Sequence, residues 1–225
     1  MTWVKICGMT NLEDALTVAD AGADAVGFVF YEKSPRNISV EAAREIVEKL
    51  PKGVEKVGVF VNQSAQELAD ISDRVGLSAV QVYLLDSDGR QFFADSLPSK
   101  KFRTFLAIPG ERIISGEAFE ISFFREFLAH TSALFLDSGN RQRPGGTGKV
   151  FDWRSAADSV KAISEIIPIV IAGGLSVQNV GEAIEVLRPW GVDVVSGVEA
   201  RPGKKDPEKV RAFVSAVREA DRNAS

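Results

Sequence analysis

Cysteine and histidine are almost absent from the sequence, with one residue of each among 225. A single cysteine, Cys7, cannot form a disulfide within the chain, so a disulfide-stabilised secreted domain is excluded. With one histidine, His130, and no carboxylates clustered at ligand spacing, the sequence predicts no metal site. We therefore expect any chemistry to be carried by ordinary side chains, without a metal and without a cofactor.

Long apolar runs and an excess of positive charge are also lacking. No run approaches the roughly 20 apolar residues needed to cross a bilayer, and the first residues lead directly into a strand-like run without a signal-peptide pattern. The net charge of −4 and the lack of a basic stripe argue against binding to nucleic acid or to a membrane surface. We expect a cytoplasmic monomer or homodimer whose partner is a small molecule.

What the sequence does contain is a regular alternation of short β-rich runs with segments whose apolar residues recur at helical spacing. The eight predicted strands are 3–7, 25–30, 56–60, 79–84, 102–107, 133–137, 168–172 and 192–196. Several are continuous apolar runs, as expected for parallel strands buried on both faces. We predict the α/β class and one (β/α)8 TIM barrel domain over residues 1–225, with a polar tail at about 221–225. An open doubly wound sheet is the less favoured alternative.

Three helix starts carry capping signals. The spacing of Thr10 to Glu13 and of Ser64 to Glu67 predicts capping boxes, in which each side chain bonds the other residue's backbone N–H. Asp206 before Pro207 fits the first turn of a last helix. These signals concern folding and predict no ligand.

Two side chains at predicted strand ends are candidates for proton transfer, because barrel enzymes place their catalytic groups there. Cys7 ends the first strand and is a candidate general base or nucleophile, although an arbitrary cysteine is more often a small buried hydrophobe. Asp137 ends the sixth strand and is a candidate general acid, with a helix cap or turn former as the competing interpretation. His130 precedes strand six at the opposite end of the barrel and is assigned a structural role.

Glycine-rich turns after the last three strands predict a phosphate site. Gly173 and Gly174 follow strand seven, Ser196 and Gly197 end strand eight, and the run 145–149 follows strand six. Backbone N–H groups exposed by glycine, together with following helix N-termini, favour bound anions. No lysine follows in a P-loop pattern, so ATP is not implied.

Two loops with arginine border the predicted mouth. Arg36 follows Ser34-Pro35 after strand two and is a candidate for binding a substrate carboxylate, or else a solvated loop charge. Residues 138–148, with Arg141 and Arg143, have the length expected of a lid. Both loops fit an enzyme that closes over an anionic substrate.

Short motifs occur at strand ends along the whole chain. They are Val4-Lys5-Ile6-Cys7-Gly8-Met9-Thr10, Gly27-Phe28-Val29-Phe30 with Ser34-Pro35-Arg36, Gly58-Val59-Phe60-Val61-Asn62, Leu136-Asp137-Ser138, Gly146-Thr147-Gly148-Lys149 with Phe151-Asp152-Trp153, Ala172-Gly173-Gly174-Leu175, and Asp193-Val194 with Ser196-Gly197-Val198-Glu199. In order and spacing they resemble the phosphoribosylanthranilate isomerase family from the first strand to the last helix.

The resemblance implies an aldose–ketose isomerase of tryptophan biosynthesis. Its Amadori rearrangement converts N-(5-phosphoribosyl)anthranilate into 1-(2-carboxyphenylamino)-1-deoxyribulose 5-phosphate. Asp137 would protonate the ring oxygen and open the sugar, Cys7 would remove the C2 proton, and Arg36 would hold the anthranilate carboxylate. The rest of the implied substrate-binding set, chiefly for the phosphate, is Gly146, Gly148, Gly173, Gly174, Asp193, Ser196 and Gly197.

One departure from the family falls on the fourth strand. After Val80-Gln81 the family usually reads Leu-His-Gly, whereas this chain has Val82-Tyr83-Leu84-Leu85. Either Tyr83 takes over a packing or polar role, or recognition of the aromatic half of the substrate differs in this chain.

Two other functions are carried as alternatives. The related isomerase of histidine biosynthesis performs the same rearrangement. A resemblance to that family would imply an aspartate pair at the ends of strands one and five, whereas here strand one ends in Cys7. A barrel that has lost catalysis and serves only for binding is the second alternative, against which Cys7, Arg36 and Asp137 argue together. Fold alone does not separate these functions.

Overall fold

Eight parallel strands close into a barrel in the computed structural model, which describes residues 1–61, 63–83, 102–114, 131–138 and 150–223. The strands are β1 (Trp3–Cys7), β2 (Ala25–Phe30), β3 (Glu55–Val61), β4 (Ala79–Tyr83), β5 (Arg103–Pro109), β6 (Ala133–Asp137), β7 (Ile169–Ile171) and β8 (Gly191–Val194). Because β1 pairs with both β2 and β8, the sheet has no free edge. The predicted α/β barrel is confirmed.

Helices follow most of the strands. They are α1 (Leu12–Asp20), α2 (Val40–Val47), α3 (Ala65–Val75), α4 (Glu111–Ile114), α5 (Trp153–Ser164), α6 (Val180–Leu187) and α7 (Pro207–Asn223). After β8 come a 3-10 helix, Ser196–Val198, and an antiparallel hairpin of β9 (Glu199–Arg201) and β10 (Lys204–Lys205). The hairpin was not predicted. No helix in the described part of the chain is long and apolar enough to span a membrane.

Two of the three predicted helix starts agree with the structure. Ser64 and Glu67 form the expected capping box, and Asp206 accepts hydrogen bonds from backbone N–H groups of the last helix. The box predicted from Thr10 is wrong, because Asn11 caps α1 and accepts from the Asp14 N–H at 2.9 Å. The hydroxyl of Thr10 instead donates to the carbonyl of Gly203.

Two boundary predictions also need correction. Strand eight ends at Val194 rather than at residue 196, because the backbone leaves the extended conformation at Val195 and a 3-10 helix begins at Ser196. Residues 221–223, predicted as part of a polar tail, belong to α7. Asp221 accepts hydrogen bonds from the backbone and hydroxyl of Thr2, which stabilise this end of the helix.

Two apolar layers position the mouth of the barrel. One lies between strands and helices, and it includes Val210, Phe213 and Val217 on the buried face of α7. The other fills the barrel interior, where Trp3 packs edge-on against Phe105 and Phe135. Since alternate strand residues point inward, this aromatic packing fills the interior on the amino-terminal side of the mouth.

Candidate active site

The carboxyl ends of the strands meet at one mouth of the barrel, and both predicted proton-transfer residues lie there. Cys7 is the last residue of β1 and Asp137 the last residue of β6, and each is 4% exposed. The charge of Asp193 on β8 acts on the pKa of Cys7, and that of Asp137 acts on the pKa of Asp193. The three groups therefore share one electrostatic environment.

A buried lysine lies beside the cysteine. Lys5 precedes Cys7 by two residues on β1, so both side chains point into the barrel. Its Nζ lies 2.9 Å from Asp193 Oδ1, and its charge acts on the thiol of Cys7. Burial alone lowers the pKa of Lys5, but Asp193 and Cys7 together raise it above its ordinary value. Lys5 thus carries a positive charge that stabilises a thiolate when one forms.

In the substrate-free protein Cys7 is a thiol. Burial is the largest influence and raises its pKa, although Lys5 acts in the opposite direction. Space for the sulfur comes from Gly27, its register partner on β2, where a Cβ would lie 2.5 Å from Sγ. The reactive thiolate is consequently a minority form at neutral pH.

The raised pKa of Cys7 predicts the pH at which its thiol loses the proton. Because its pKa is raised, thiolate absorbance in the far ultraviolet should appear at a higher pH than in free cysteine, whose pKa is about 8.5. The chain has one cysteine, so subtracting the spectrum of Cys7→Ser isolates the signal from tyrosine absorbance. A midpoint at or below that of free cysteine would contradict the dominance of burial over Lys5.

Asp137 is held at its backbone and at its side chain. Its carbonyl accepts from the Gly110 N–H at 2.7 Å, and its Oδ2 accepts from the hydroxyl of Tyr83 at 2.6 Å. Burial raises the pKa of Tyr83 well above its ordinary value, so the phenol stays protonated and donates. Held in this way at the carboxyl end of β6, the carboxyl is placed to act as a general acid.

A cavity beside Asp137 is lined by the glycine-rich turns after β7 and β8. Its lining includes Gly173, Gly174, Asp193 and Ser196. Gly173 has φ +79°, and a Cβ there would lie 2.3 Å from the backbone nitrogen of Ser138. No acceptor for the N–H of Gly173 or Gly174 is found among the described residues, so both donors are available to an anion.

Packing after β8 places Gly197 next to the same turn. A Cβ on Gly197 would lie 2.0 Å from the carbonyl oxygen of Leu175, so a larger residue does not fit. The turn itself is tied down by Asn179, which accepts from the Ser176 N–H at 2.8 Å and donates to the Gly174 carbonyl at 3.0 Å. The two turns thus form one rigid wall of the cavity.

Arg36 is oriented by a carboxylate of the unpredicted hairpin. Its Nε and Nη2 donate to the two oxygens of Glu199 at 2.8 and 2.7 Å, and the two side chains are 12% and 4% exposed. Lys205 also contacts Glu199, at 3.2 Å. The hydrogen bond from Arg36 outweighs the effect of burial and raises the arginine's pKa. The Nη1–Nη2 edge of the guanidinium is a second fork, suited to another carboxylate.

Some predicted site elements lie outside the described residues. They are Gly146, Gly148, His130 and the lid with Arg141 and Arg143. Within the described ranges, no group of three or more His, Cys, Asp and Glu side chains is arranged to hold a metal ion.

The sequence analysis did not predict the contacts of four polar side chains of the site. Alternation along β1 was available as a signal for Lys5, since it shares a strand face with Cys7. A packing or polar role for Tyr83 was one of two alternatives considered, but its contact with Asp137 was not predicted. Glu199 and Lys205 gave no local signal, because their roles depend on a hairpin and on contacts with Arg36, which is 163 residues from Glu199 in sequence.

Together, a closed parallel barrel and ionisable groups at the carboxyl ends of β1, β6 and β8 define a (β/α)8-barrel enzyme. The family model of N-(5'-phosphoribosyl)anthranilate isomerase matches residues 4–216. A relative of that name from Chlorobaculum tepidum is 42% identical over 99% of this chain and 98% of its own. One from Pseudomonas aeruginosa is 42% identical over 98% and 97%. The chain belongs to the N-(5'-phosphoribosyl)anthranilate isomerase family.

Solved structures agree with this assignment. Phosphoribosylanthranilate isomerase from Thermotoga maritima has a TM-score of 0.79 and 36% identity, and covers 97% of this chain and 100% of its own. The Thermus thermophilus enzyme gives 0.78 and 32%, covering 97% and 99%. A phosphoribosylanthranilate isomerase in complex with reduced 1-(o-carboxyphenylamino)-1-deoxyribulose 5-phosphate gives 0.76 and 36%, covering 97% and 100%.

Proposed function

We propose that the chain catalyses the Amadori rearrangement of N-(5'-phosphoribosyl)anthranilate to 1-(2-carboxyphenylamino)-1-deoxyribulose 5-phosphate, an aldose–ketose isomerisation in tryptophan biosynthesis. The observation that carries the proposal is the pair of buried ionisable groups at one barrel mouth, Cys7 and Asp137, within a chain of this family. Burial favours the thiol form of Cys7, and a carboxyl in the same mouth is suited to carry the proton for the first step.

Ring opening is the step assigned to Asp137. The protonated carboxyl gives its proton to the furanose ring oxygen while the C1–O bond breaks. The lone pair of the anthranilate nitrogen forms the C1=N bond, which leaves a protonated Schiff base and a free hydroxyl at C4. The hydroxyl of Tyr83, 2.6 Å from Oδ2, stabilises the carboxylate that Asp137 becomes.

Isomerisation is the step assigned to Cys7. Its thiolate removes the proton at C2, the electrons of the C–H bond form C1=C2, and the electrons of C1=N return to nitrogen. The resulting enolamine tautomerises: C1 gains a proton and the C2 hydroxyl loses one, which gives the ketone. The proton now on Cys7 passes to the Asp137 carboxylate, so that both groups regain their starting forms. The positive charge of Lys5, two residues away on the same strand face, stabilises the thiolate before this step.

Substrate recognition is assigned to groups around the same mouth. The phosphate is proposed to bind the backbone N–H groups of Gly173 and Gly174 together with Ser196 and Gly197, where no described acceptor competes for the first two. The anthranilate carboxylate is proposed to bind the outer fork of Arg36. Asp193, which lines the cavity, is proposed to belong to this substrate-binding set and also to support the Cys7 environment through its contact with Lys5.

Genetic complementation tests this function. A tryptophan-requiring strain that lacks its isomerase should grow without tryptophan when it expresses this chain, and should not grow with an equally abundant Cys7→Ala variant. A histidine-requiring strain lacking the corresponding isomerase is the parallel arm. Rescue of that strain alone would favour the histidine-pathway reaction, and rescue of neither would favour a barrel without catalysis.

Arg36→Lys tests recognition of the carboxylate. Lysine keeps the charge but cannot make two parallel hydrogen bonds, so we expect KM to rise about tenfold, or about 1.4 kcal/mol, with a smaller change in kcat. The matched control is Arg44→Lys, because Arg44 is exposed and makes an ordinary surface pair with Glu48 at 2.8 Å. An unchanged KM in Arg36→Lys would remove Arg36 from the substrate site.

We also propose the remaining properties that the sequence predicts. The chain forms one domain over residues 1–225, acts in the cytoplasm as a monomer or homodimer, and takes a small phosphorylated substrate rather than nucleic acid or membrane lipid. Size-exclusion chromatography with light scattering distinguishes the two oligomeric states. The free, buried thiol of Cys7 is compatible with a reducing compartment.

A further inference from the structure

The contact between Tyr83 and Asp137 joins strands that are not neighbours. Tyr83 ends β4 and Asp137 ends β6, with β5 between them. In register with Tyr83 on β5 is Ala107, a small buried residue facing the barrel interior. The small side chain leaves room for the phenol to pass over β5 and reach the carboxyl.

The hydrogen bond is short and has a defined direction. The distance between the Tyr83 hydroxyl and Asp137 Oδ2 is 2.6 Å, within the range of charge-assisted O–H···O⁻ bonds. On its other side the Tyr83 oxygen receives a weak contact from Gln81 Nε2 at 3.4 Å. With a donor on that side, the phenolic proton points toward Asp137.

This direction determines what Tyr83 does for the carboxyl. Oδ2 accepts from the phenol, so the hydroxyl fixes the orientation of the carboxyl group before the proton is transferred. After transfer, the same bond stabilises the new carboxylate. Loss of the phenol would therefore remove this restraint on the carboxyl and would disfavour its charged form.

We propose that Tyr83 is a positioning residue for the proposed isomerase reaction, holding Oδ2 of Asp137 so that the carboxyl keeps the orientation in which it protonates the sugar ring oxygen. This inference rests on the proposed function for its consequence in catalysis, but the contact itself does not. Asp193 on β8 and Cys7 on β1 also act electrostatically on Tyr83, and Asp137 acts on Asp193.

Tyr83→Phe removes only the hydroxyl. A hydrogen bond to a charged carboxylate is stronger than one between neutral groups, so we expect kcat to fall about tenfold or more, with KM changed by less than about twofold. The carboxyl of Asp137, followed by ¹³C NMR in protein with labelled aspartate and assigned with Asp137→Asn, should titrate about one pH unit higher. The matched control is Tyr31→Phe, which makes the same substitution at the other of the chain's two tyrosines.

A second measurement keeps the hydroxyl in place. In the Tyr31→Phe background Tyr83 is the sole tyrosine, so biosynthetic incorporation of 3-fluorotyrosine alters only this phenol and makes it a stronger donor. The Asp137 carboxyl should then titrate lower than in the same protein with ordinary tyrosine, opposite to the shift in Tyr83→Phe. This arm does not depend on Tyr83→Phe folding.

The outcomes separate this inference from the proposed function. Opposite shifts of the Asp137 titration, with the fall in kcat confined to Tyr83→Phe, support it. An unmoved titration in both proteins overturns it, as does an unchanged kcat in Tyr83→Phe when wild type is active. If wild type fails to turn over phosphoribosylanthranilate, the proposed function and the catalytic role of Tyr83 are both wrong. The titrations of the Asp137 carboxyl still decide whether Tyr83 holds Asp137.

Discussion

Cys7→Ser should lower kcat by about 10²-fold or more, with a much smaller change in KM, as loss of a general base does. Serine has nearly the same shape as cysteine, but its hydroxyl is a far weaker acid and supplies almost no alkoxide beside Lys5. The rate is measured by loss of anthranilate fluorescence as freshly generated N-(5'-phosphoribosyl)anthranilate is consumed. Steady-state rates at several substrate concentrations separate kcat from KM.

Ligand binding is the control for this substitution. Reduced 1-(o-carboxyphenylamino)-1-deoxyribulose 5-phosphate, seen bound to a related isomerase, should bind Cys7→Ser within about threefold of wild type, because serine leaves the phosphate and carboxylate contacts in place. A kcat within a few-fold of wild type would remove the base role from Cys7. Lost ligand affinity with unchanged kcat would give it a binding role instead.

Asp137→Asn should also lower kcat by about 10²-fold or more, because the amide has no proton acidic enough to open the sugar ring. Asparagine retains an oxygen that can accept from Tyr83, so the local packing changes little. Ring opening precedes proton abstraction, and no later step compensates for its loss. The same fluorescence assay measures the effect.

A matched carboxylate elsewhere tests the specificity of this loss. Asp158 lies exposed on α5, and Asp158→Asn should retain the wild-type rate. Equal losses in both variants, or a near-normal rate in Asp137→Asn, would contradict the assignment of the acid. Thermal unfolding of each variant excludes a general loss of folded protein.

The barrel was predictable because its signals are local. Each predicted strand is a short β-rich run, several of them continuously apolar, and the backbone hydrogen bonding of a buried segment requires it to join a sheet. The candidates Cys7 and Asp137 followed from one further rule, that strand ends gather at one mouth. Both lie there, whereas their roles in proton transfer remain proposals.

The environment of those residues was less predictable because it arises from contacts distant in sequence. Tyr83 and Asp137 are 54 residues apart, and only closure of the sheet brings them to 2.6 Å. The pairing of Arg36 with Glu199 depends on the hairpin of β9 and β10. These strands have three and two residues, which is too short to give a periodic signal in the sequence. At the start of α1, Thr10 and Asn11 are both residue types that favour the N-cap position. The hydroxyl of Thr10 bonds the distant Gly203 carbonyl instead, and Asn11 caps the helix.

Conversion of N-(5'-phosphoribosyl)anthranilate by the purified protein tests the central claim most directly. Wild type should consume the substrate and yield a product that co-elutes with authentic 1-(2-carboxyphenylamino)-1-deoxyribulose 5-phosphate, while a folded Cys7→Ser/Asp137→Asn double variant should not exceed the uncatalysed rate. No acceleration by folded wild type, or full activity in the double variant, would contradict an acid–base isomerase built on Cys7 and Asp137.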